Sequence, residues 1–316
     1  MGTADALRAA VLALLLLVAG CGGTSLPPTG NTPPPPAAPA LVQVENLPAA
    51  RPQTGLQRAD LVVEYLTEGG ITRLTAIYFA PAGAGRIQPV RSARPISLVL
   101  VKAYGGVLFF SGASSHVLGQ IQAENIPALS EGADSGQYFA RDPNRQPPHT
   151  LYTTFDQLRQ GVEKFGLHRT YPLREGRPSG AGDAVSHFGF AQTPSHRVAY
   201  TYQPAGAVYT YATDTGAMAD AETGQPLKIA AVVLVRVTHH DAGFTDINGA
   251  PAVAFDLQGA GPADIYTGGQ HYSATWDLTV PTQPLKFVGT DGKEVLLPRG
   301  LTWIHLVDPQ TPVTAS

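Results

Sequence analysis

The sequence contains a single cysteine, Cys21, and charged residues make up only 14% of its 316 residues. A lone cysteine excludes an internal disulfide and any metal site built from several thiolates. The formal net charge is −3 and there is no basic cluster, so nucleic acid is not predicted as a partner. The fold must therefore be stabilised by an ordinary apolar core, and the chain is long enough for one or two.

Long apolar runs are also scarce, with one exception at residues 9–19, which follow Arg8 and precede Gly20-Cys21. This run is too short to cross a bilayer and predicts a signal peptide over residues 1–20. Val18-Ala19-Gly20-Cys21 resembles the lipobox of bacterial lipoproteins, in which the cysteine is lipidated. We therefore expect an exported, extracytoplasmic protein held on the cell membrane by a lipid at Cys21. An ordinary secreted protein is the alternative.

After Cys21, composition divides the chain into further segments. Residues 21–40 are rich in proline, glycine, serine and threonine, which predicts an extended tether. We expect an N-terminal mixed α/β domain over residues 41–170, a Pro/Gly-rich linker over 171–184, a C-terminal β domain over 185–310 and a short tail over 311–316. The glycine-rich stretch at 176–182 lacks the Gly-Lys-Ser/Thr ending of a phosphate-binding loop, and no cofactor is predicted.

The predicted elements of the N-terminal domain alternate between strands and helices. Leu61–Leu66 and Ile71–Phe79 are expected to form a hairpin, because Glu68-Gly69-Gly70 between them suits a tight turn. Ser114 or Ser115, and Thr153 or Thr154, provide N-caps for two predicted helices. The other elements predicted here are a helix over Ile96–Tyr104 and a strand over Val107–Phe110.

In the second half the helical period disappears and β-branched and aromatic segments alternate with turn residues. Asp291-Gly292 is typical of a hairpin turn. This pattern predicts an antiparallel β-sandwich or a barrel-like domain, so the fold class of the whole chain is α+β. The predicted strands lie at residues 198–202, 208–211, 229–237, 252–257, 272–277, 285–288 and 301–307.

Arg91, Ser92 and Arg94 stand directly before the predicted helix at Ile96–Tyr104. Arginines at a helix N-terminus lie against the positive end of the helix dipole, which is unfavourable unless an anion joins them. Arginine forks bind carboxylate or phosphate in bidentate fashion, so one interpretation is a site for an anionic ligand. The other is internal pairing with acidic residues of the preceding hairpin, namely Asp60, Glu64 or Glu68.

His149 follows two prolines, which fix the backbone as a positioned acid–base group would require. A structural histidine in a rigid loop explains the same residues. Ser114-Ser115 lacks the spacing of a nucleophile elbow and is explained by helix capping. Adjacent His239 and His240 on a strand would face opposite ways, so no metal site is predicted.

Several motifs resemble the N-terminal domain of the YerB-like bacterial lipoproteins, which carry a two-part domain of unknown function. They are Ala50–Leu56, Glu68–Arg73, Pro89–Pro95 and Pro148-His149. Asp220, Thr223-Gly224 and Asp291–Glu294 are similar to the C-terminal domain of that family, although Tyr211-Ala212-Thr213 and Ala230-Ala231 depart from it. The resemblance implies an envelope lipoprotein linked to cell-wall synthesis, with no settled activity.

Two functional hypotheses follow, and whether the chain is an enzyme stays open. In the preferred one, a lipid-anchored envelope protein binds cell-wall material or a wall-synthesis protein in a cleft lined by Arg73, Arg91, Ser92, Arg94 and His149. In the alternative, the chain is an exported hydrolase or transferase acting on an anionic envelope substrate. Its candidate catalytic residues are Glu64, Glu68 and His149, with the arginines holding the anion.

Overall fold

The structure is a computed structural model that describes residues 37–169, 174–246 and 249–316, the side chains of residues 133 and 134 excepted. The predicted signal peptide, Cys21 and most of the predicted tether lie outside these residues, as does part of the predicted linker. Within the described ranges, no helix is long and apolar enough to cross a membrane.

The described residues of the N-terminal half form strands and three α-helices, two of which begin at the expected capping residues. Thr154 caps α3 by accepting a hydrogen bond from the Gln157 amide, and Ser114 caps α2 through the Val117 amide. The elements are β1 (Ala40–Glu45), β2 (Leu61–Leu66), β3 (Thr72–Tyr78), β4 (Arg86–Ile87), α1 (Pro95–Tyr104), β5 (Val107–Phe110), α2 (Ser115–Ala123), β6 (Ala128–Ser130), β7 (Ala140–Arg141), β8 (Leu151–Thr154) and α3 (Phe155–Phe165).

The described residues of the second half contain strands and no α-helix. Their strands are β9 (Asp183–Ala184), β10 (His187–Thr193), β11 (His196–Gln203), β12 (Val208–Thr213), β13 (Gly216–Ala217), β14 (Ala231–Arg236), β15 (His239–Thr245), β16 (Pro251–Phe255), β17 (Gly259–Thr267), β18 (Gln270–Leu278), β19 (Lys286–Gly289), β20 (Thr302–Val307) and β21 (Thr314–Ala315). The predicted α+β class, with a strand-rich second half, is confirmed.

One large sheet runs through both halves in the order β19-β18-β17-β14-β20-β2-β3-β1-β5-β6, with β9 added beside β18. Strand β20 lies at its centre and pairs in parallel with β2 on one side and β14 on the other. Thr302 is the register partner of both Leu61 and Ala231. The second half therefore departs from a purely antiparallel arrangement at β20, where it joins the first. The predicted domain boundary at residues 171–184 stays a prediction.

Both faces of this sheet are covered, which explains why its central strands are mostly apolar and almost continuously buried. Trp303 on β20 faces a core shared with α3 and with a second sheet in the order β13-β12-β11-β10-β21. Ile304, the next residue, faces the opposite core, which it shares with α1 and α2. Residues one apart on a strand point to opposite faces, so β20 contributes to both cores.

Candidate functional site

The predicted site residues of the N-terminal half, apart from Glu64, lie around Glu45, the last residue of β1. Glu45 is the register partner of Arg73 on β3, so the two side chains begin as neighbours on the sheet. The Arg91 guanidinium lies 3.2 Å from Glu45 Oε1, and His149 Nδ1 lies 2.7 Å from Glu45 Oε2. We call Glu45, Glu68, Arg73, Arg91, Arg94 and His149 the arginine cluster.

Backbone hydrogen bonds fix the segment that carries Arg91 and Arg94. The Arg91 amide donates to the Gln43 carbonyl of β1, and the Ser111 amide donates to the Arg91 carbonyl. The Ala93 amide donates to the Gly112 carbonyl just beyond β5. The segment is therefore held between β1 and the end of β5, which delivers both guanidinium groups to the same edge of the sheet.

Helix α1 starts at Pro95, one residue before the predicted Ile96, and Arg94 is its N-cap. Ser97 Oγ accepts from the Arg94 amide at 3.0 Å and donates to Gln43 Oε1 at 2.9 Å. This pins the positive end of the helix dipole beside the arginines. The dipole adds to the positive potential instead of compensating it.

The carboxylates of the cluster do not compensate all of its arginines. Arg94 Nε lies 2.5 Å from Glu68 Oε2, and Arg91 shares Glu45 with His149. Arg73 has no ion pair with any described residue. Its Nη1 donates a hydrogen bond of 3.1 Å to the Ser92 carbonyl, whereas the buried Nε has no hydrogen-bond partner within the described part of the chain.

Arg73 is also the most buried arginine of the cluster, with only 2% of its surface exposed. Burial, followed by the nearby charge of Arg94, lowers the pKa of Arg73 to about 10, so it stays charged at neutral pH. The side chains of Arg91, Arg94 and His149 are 28%, 14% and 14% exposed. The buried charge of Arg73 therefore has neighbours that solvent can reach.

The third candidate acid, Glu64, lies elsewhere, in a fully buried polar network between the large sheet and the second sheet. Its Oε1 accepts hydrogen bonds from Asn46, Thr72 and His196 at 2.9, 3.0 and 2.8 Å. Its Oε2 accepts from Tyr211 and Trp303 at 3.1 and 3.0 Å. We call these residues, together with Tyr200 and His305, the Glu64 network.

The electrostatics of this network favour one fixed protonation state. Burial alone would raise the pKa of Glu64, but the hydrogen bond and charge of His196 and the other donors hold it well below its ordinary value. Burial lowers the pKa of His305 to about 4. Neutral His305 fits its partners, since Tyr200 lies 2.6 Å from Nε2 and Gln192 Oε1 lies 3.0 Å from Nδ1.

The structure thus brings together Glu68, Arg73, Arg91, Arg94 and His149, and it separates Glu64 from them. Ser92 takes part through its carbonyl, which accepts the Arg73 hydrogen bond. Glu45, the central carboxylate, was missed in the sequence. Its signal is the polar pair Gln43 and Glu45 at alternate positions of the apolar run that begins at Leu41, which places two polar side chains on one face of a buried strand.

Two further geometrical facts bear on chemistry. Among residues 37–169, 174–246 and 249–316, no group of three or more histidine, cysteine, aspartate or glutamate side chains could hold a metal ion. A pocket of about 1110 Å³ is lined by neither the arginine cluster nor the Glu64 network. The arginine cluster is therefore separate from this pocket.

These features describe an α+β protein in which two halves share one sheet, with a polar arginine-rich site in the first half. The chain belongs to the family of proteins of unknown function DUF3048. The N-terminal domain of that family matches residues 25–168 and the C-terminal domain matches residues 188–304. The resemblance to the YerB-like lipoproteins is thereby confirmed.

A curated relative and a solved structure support the same assignment. The chain is 29% identical over 277 residues to "Putative lipoprotein YerB" of Bacillus subtilis (strain 168), covering 85% of this chain and 81% of that protein. It also matches the crystal structure of YerB protein from Bacillus subtilis with a TM-score of 0.74 and 28% identity, covering 88% of this chain and 94% of that one.

Proposed function

We propose that this chain is a lipid-anchored cell-envelope protein whose arginine cluster binds an anionic group of cell-wall material or of a wall-synthesis protein. The anchor rests on the lipobox-like Val18-Ala19-Gly20-Cys21 and on the lipoprotein name of the Bacillus relative. The anionic group is a carboxylate or a phosphate, because those are the groups that guanidinium forks bind best.

The observation that carries the binding proposal is that the buried Arg73 forms no ion pair with any described residue. Moving an ion from water into a protein interior costs on the order of several kcal/mol of solvation free energy. An opposite charge close to the ion can offset that cost. Glu45 forms ion pairs with Arg91 and His149, and Glu68 forms one with Arg94. A bound anion would supply the missing negative charge.

The surrounding groups would also orient such an anion. Arg91 and Arg94 flank Arg73 and are partly exposed, so their free donors can meet a ligand from solvent. The start of α1 adds its dipole to the same place. Together they favour a compact anion held by two or three donors.

The test uses the folded exported part of the chain with two ligands, inorganic phosphate and purified insoluble peptidoglycan. We expect phosphate to raise the melting temperature of the wild type and the protein to co-sediment with peptidoglycan. Arg91→Ala should lose both responses, because Arg91 is the most exposed arginine of the cluster.

Arg159→Ala is the matched control, because it removes an exposed arginine of α3 outside the cluster. It should behave as the wild type. If Arg91→Ala responds to both ligands as the wild type does, the proposal is wrong.

The alternative, an exported hydrolase or transferase, is favoured by the contact between His149 and Glu45. A carboxylate at 2.7 Å from Nδ1 orients an imidazole for acid–base chemistry at Nε2, which has no partner among the described residues. Glu68 could assist from the same cluster. Glu64 is left out of this proposal because both its oxygens are occupied by donors.

This alternative predicts turnover of labelled peptidoglycan fragments by the wild type. His149→Gln should abolish that turnover while keeping the phosphate-dependent rise in melting temperature. Binding without any turnover in the wild type would leave the first function as the one supported.

A further inference from the structure

We propose that the large pocket of about 1110 Å³ is a second binding site, and that it takes an acidic amphiphile with one long apolar chain. The pocket shares no lining residue with the arginine cluster. The proposal is therefore independent of the function proposed above.

The pocket lies where the two halves meet at the beginning of their shared strands. Leu61 is the first residue of β2 and Thr302 the first of β20, and both line the pocket together with Leu301, which precedes β20. Ala230, just before β14, lines it as well. Because β20 lies between β2 and β14, the pocket occupies the N-terminal end of the three central strands, and both halves are needed to build it.

Apolar side chains form a large part of its lining. Tyr104 comes from the end of α1, and Phe79 follows β3. Leu285 and Leu297 come from segments beside β19 and before β20, and Ile304 comes from β20 itself. Most ligand pockets hold roughly 300–1,000 Å³, so a volume of about 1110 Å³ leaves room for an extended apolar group.

The charges around this lining favour an acidic head group. Five basic side chains line the pocket against three acidic ones. Glu294 is paired with Arg174, and an oxygen of Asp60 accepts the Phe79 amide at 2.7 Å.

Two basic residues at the rim keep their charge available. Lys228 and Arg299 are exposed, and neither forms an ion pair with any residue that the structure describes. Lys228 lies just before β14 and Arg299 just before β20, so both residues lie close to the N-terminal ends of strands beside the pocket. An acidic head at this rim would leave an attached chain directed along the apolar side chains.

The test is titration of the folded protein with palmitate below its micellar concentration, followed by calorimetry, with hexadecanol as the uncharged counterpart. We expect one equivalent of palmitate to bind, and hexadecanol to bind at least several-fold more weakly. Lys228→Ala combined with Arg299→Ala should weaken palmitate about tenfold, since two exposed ion pairs each contribute modestly.

Arg197→Ala combined with Lys102→Ala is the matched control, because it removes the same charge from exposed positions that do not line the pocket. Leu285→Asp should abolish palmitate binding, because it places a charge where the alkyl chain would lie. Circular dichroism will show whether that variant folds. The proposal is overturned if palmitate does not bind, if hexadecanol binds equally well, or if the rim variant matches the control. Binding of phosphatidylglycerol vesicles without palmitate binding would also overturn it, because a two-chain lipid would then be the ligand.

Discussion

Glu45 and Glu64 are two fully buried carboxylates of the same large sheet, and each is hydrogen-bonded to a histidine. Glu64 receives five hydrogen bonds spread over both oxygens. Glu45 Oε1 receives none from the residues that the structure describes, although the Arg91 guanidinium lies 3.2 Å away, because the two groups are not aligned for a hydrogen bond.

The difference separates a structural site from a candidate functional one. A buried polar network in which every group is satisfied makes the fold more rigid and specific. A buried cluster whose atoms lack hydrogen-bond partners among the described residues, such as Glu45 Oε1 and the Nε atoms of Arg73 and Arg91, lowers stability and calls for an explanation. A ligand of the arginine cluster is the explanation that we propose. Three measurements test the difference between the two sites.

The largest effect is expected from Glu64→Gln. The new amide would direct N–H groups at donors that now bind a carboxylate, such as Trp303 Nε1 at 3.0 Å. Losing one partner of a buried pair costs about 3 to 5 kcal/mol, and we expect the free energy of unfolding in urea to fall by that amount.

Glu124→Gln provides the control, because Glu124 and its partner Lys102 are 41% and 42% exposed at their side chains. Its cost should stay below about 1 kcal/mol. Equal costs for the two variants would show that the Glu64 network contributes little to stability.

A second expectation concerns pH and His305, which faces Glu64, His196, Tyr200 and Gln192. Its folded pKa of about 4 lies below the ordinary value of 6.5. Between these two values only the unfolded chain binds the proton, so stability falls as the pH drops from about 6.5 to about 4. The loss amounts to about 3 kcal/mol for a single fully buried group.

Urea unfolding of the wild type at several pH values measures this loss. His305→Gln should flatten the curve in that window, whereas His187→Gln, at an exposed position, should leave it unchanged. A curve that His305→Gln leaves as steep as the wild type would assign the acid sensitivity to other groups.

The smallest expected effect has the opposite sign. Arg73→Met replaces a buried, unpaired charge by an apolar side chain of similar length, and we expect it to stabilise the protein by about 1 kcal/mol in low salt. The same variant should lose the stabilisation that phosphate gives. A destabilised Arg73→Met would mean that the fold itself requires the charge.

Local structure could be predicted from the sequence wherever the signal lies within a few residues. The turn at Glu68-Gly69-Gly70 is present, with positive φ at both glycines, and α1 ends at the predicted Tyr104. The convergence of Arg91, Arg94 and Glu68 was expected in outline, because a hairpin and the following helix start are neighbours in sequence.

Longer-range features could not be predicted, because a single sequence contains no record of pairing partners. Nothing near Val62 indicates that Trp303 lies beside it in a parallel pair. Strand β17 was missed because its Gly259, Gly261 and Pro262 are typical of loops, whereas its antiparallel pairing with β18 supplies the missing stabilisation. Glu64 was misplaced for a related reason, since its partners His196, Tyr211 and Trp303 come from distant strands.

The central place of β20 has a consequence for biosynthesis. Strands β2 and β14 are made long before β20, and until residues 302–307 emerge both present unpaired edges. Exposed apolar edges of this kind pair readily with other chains. A nascent chain therefore depends on protection from aggregation until almost all of it is available, and a stop codon only slightly upstream of β20 would leave an insoluble product instead of a shortened active one.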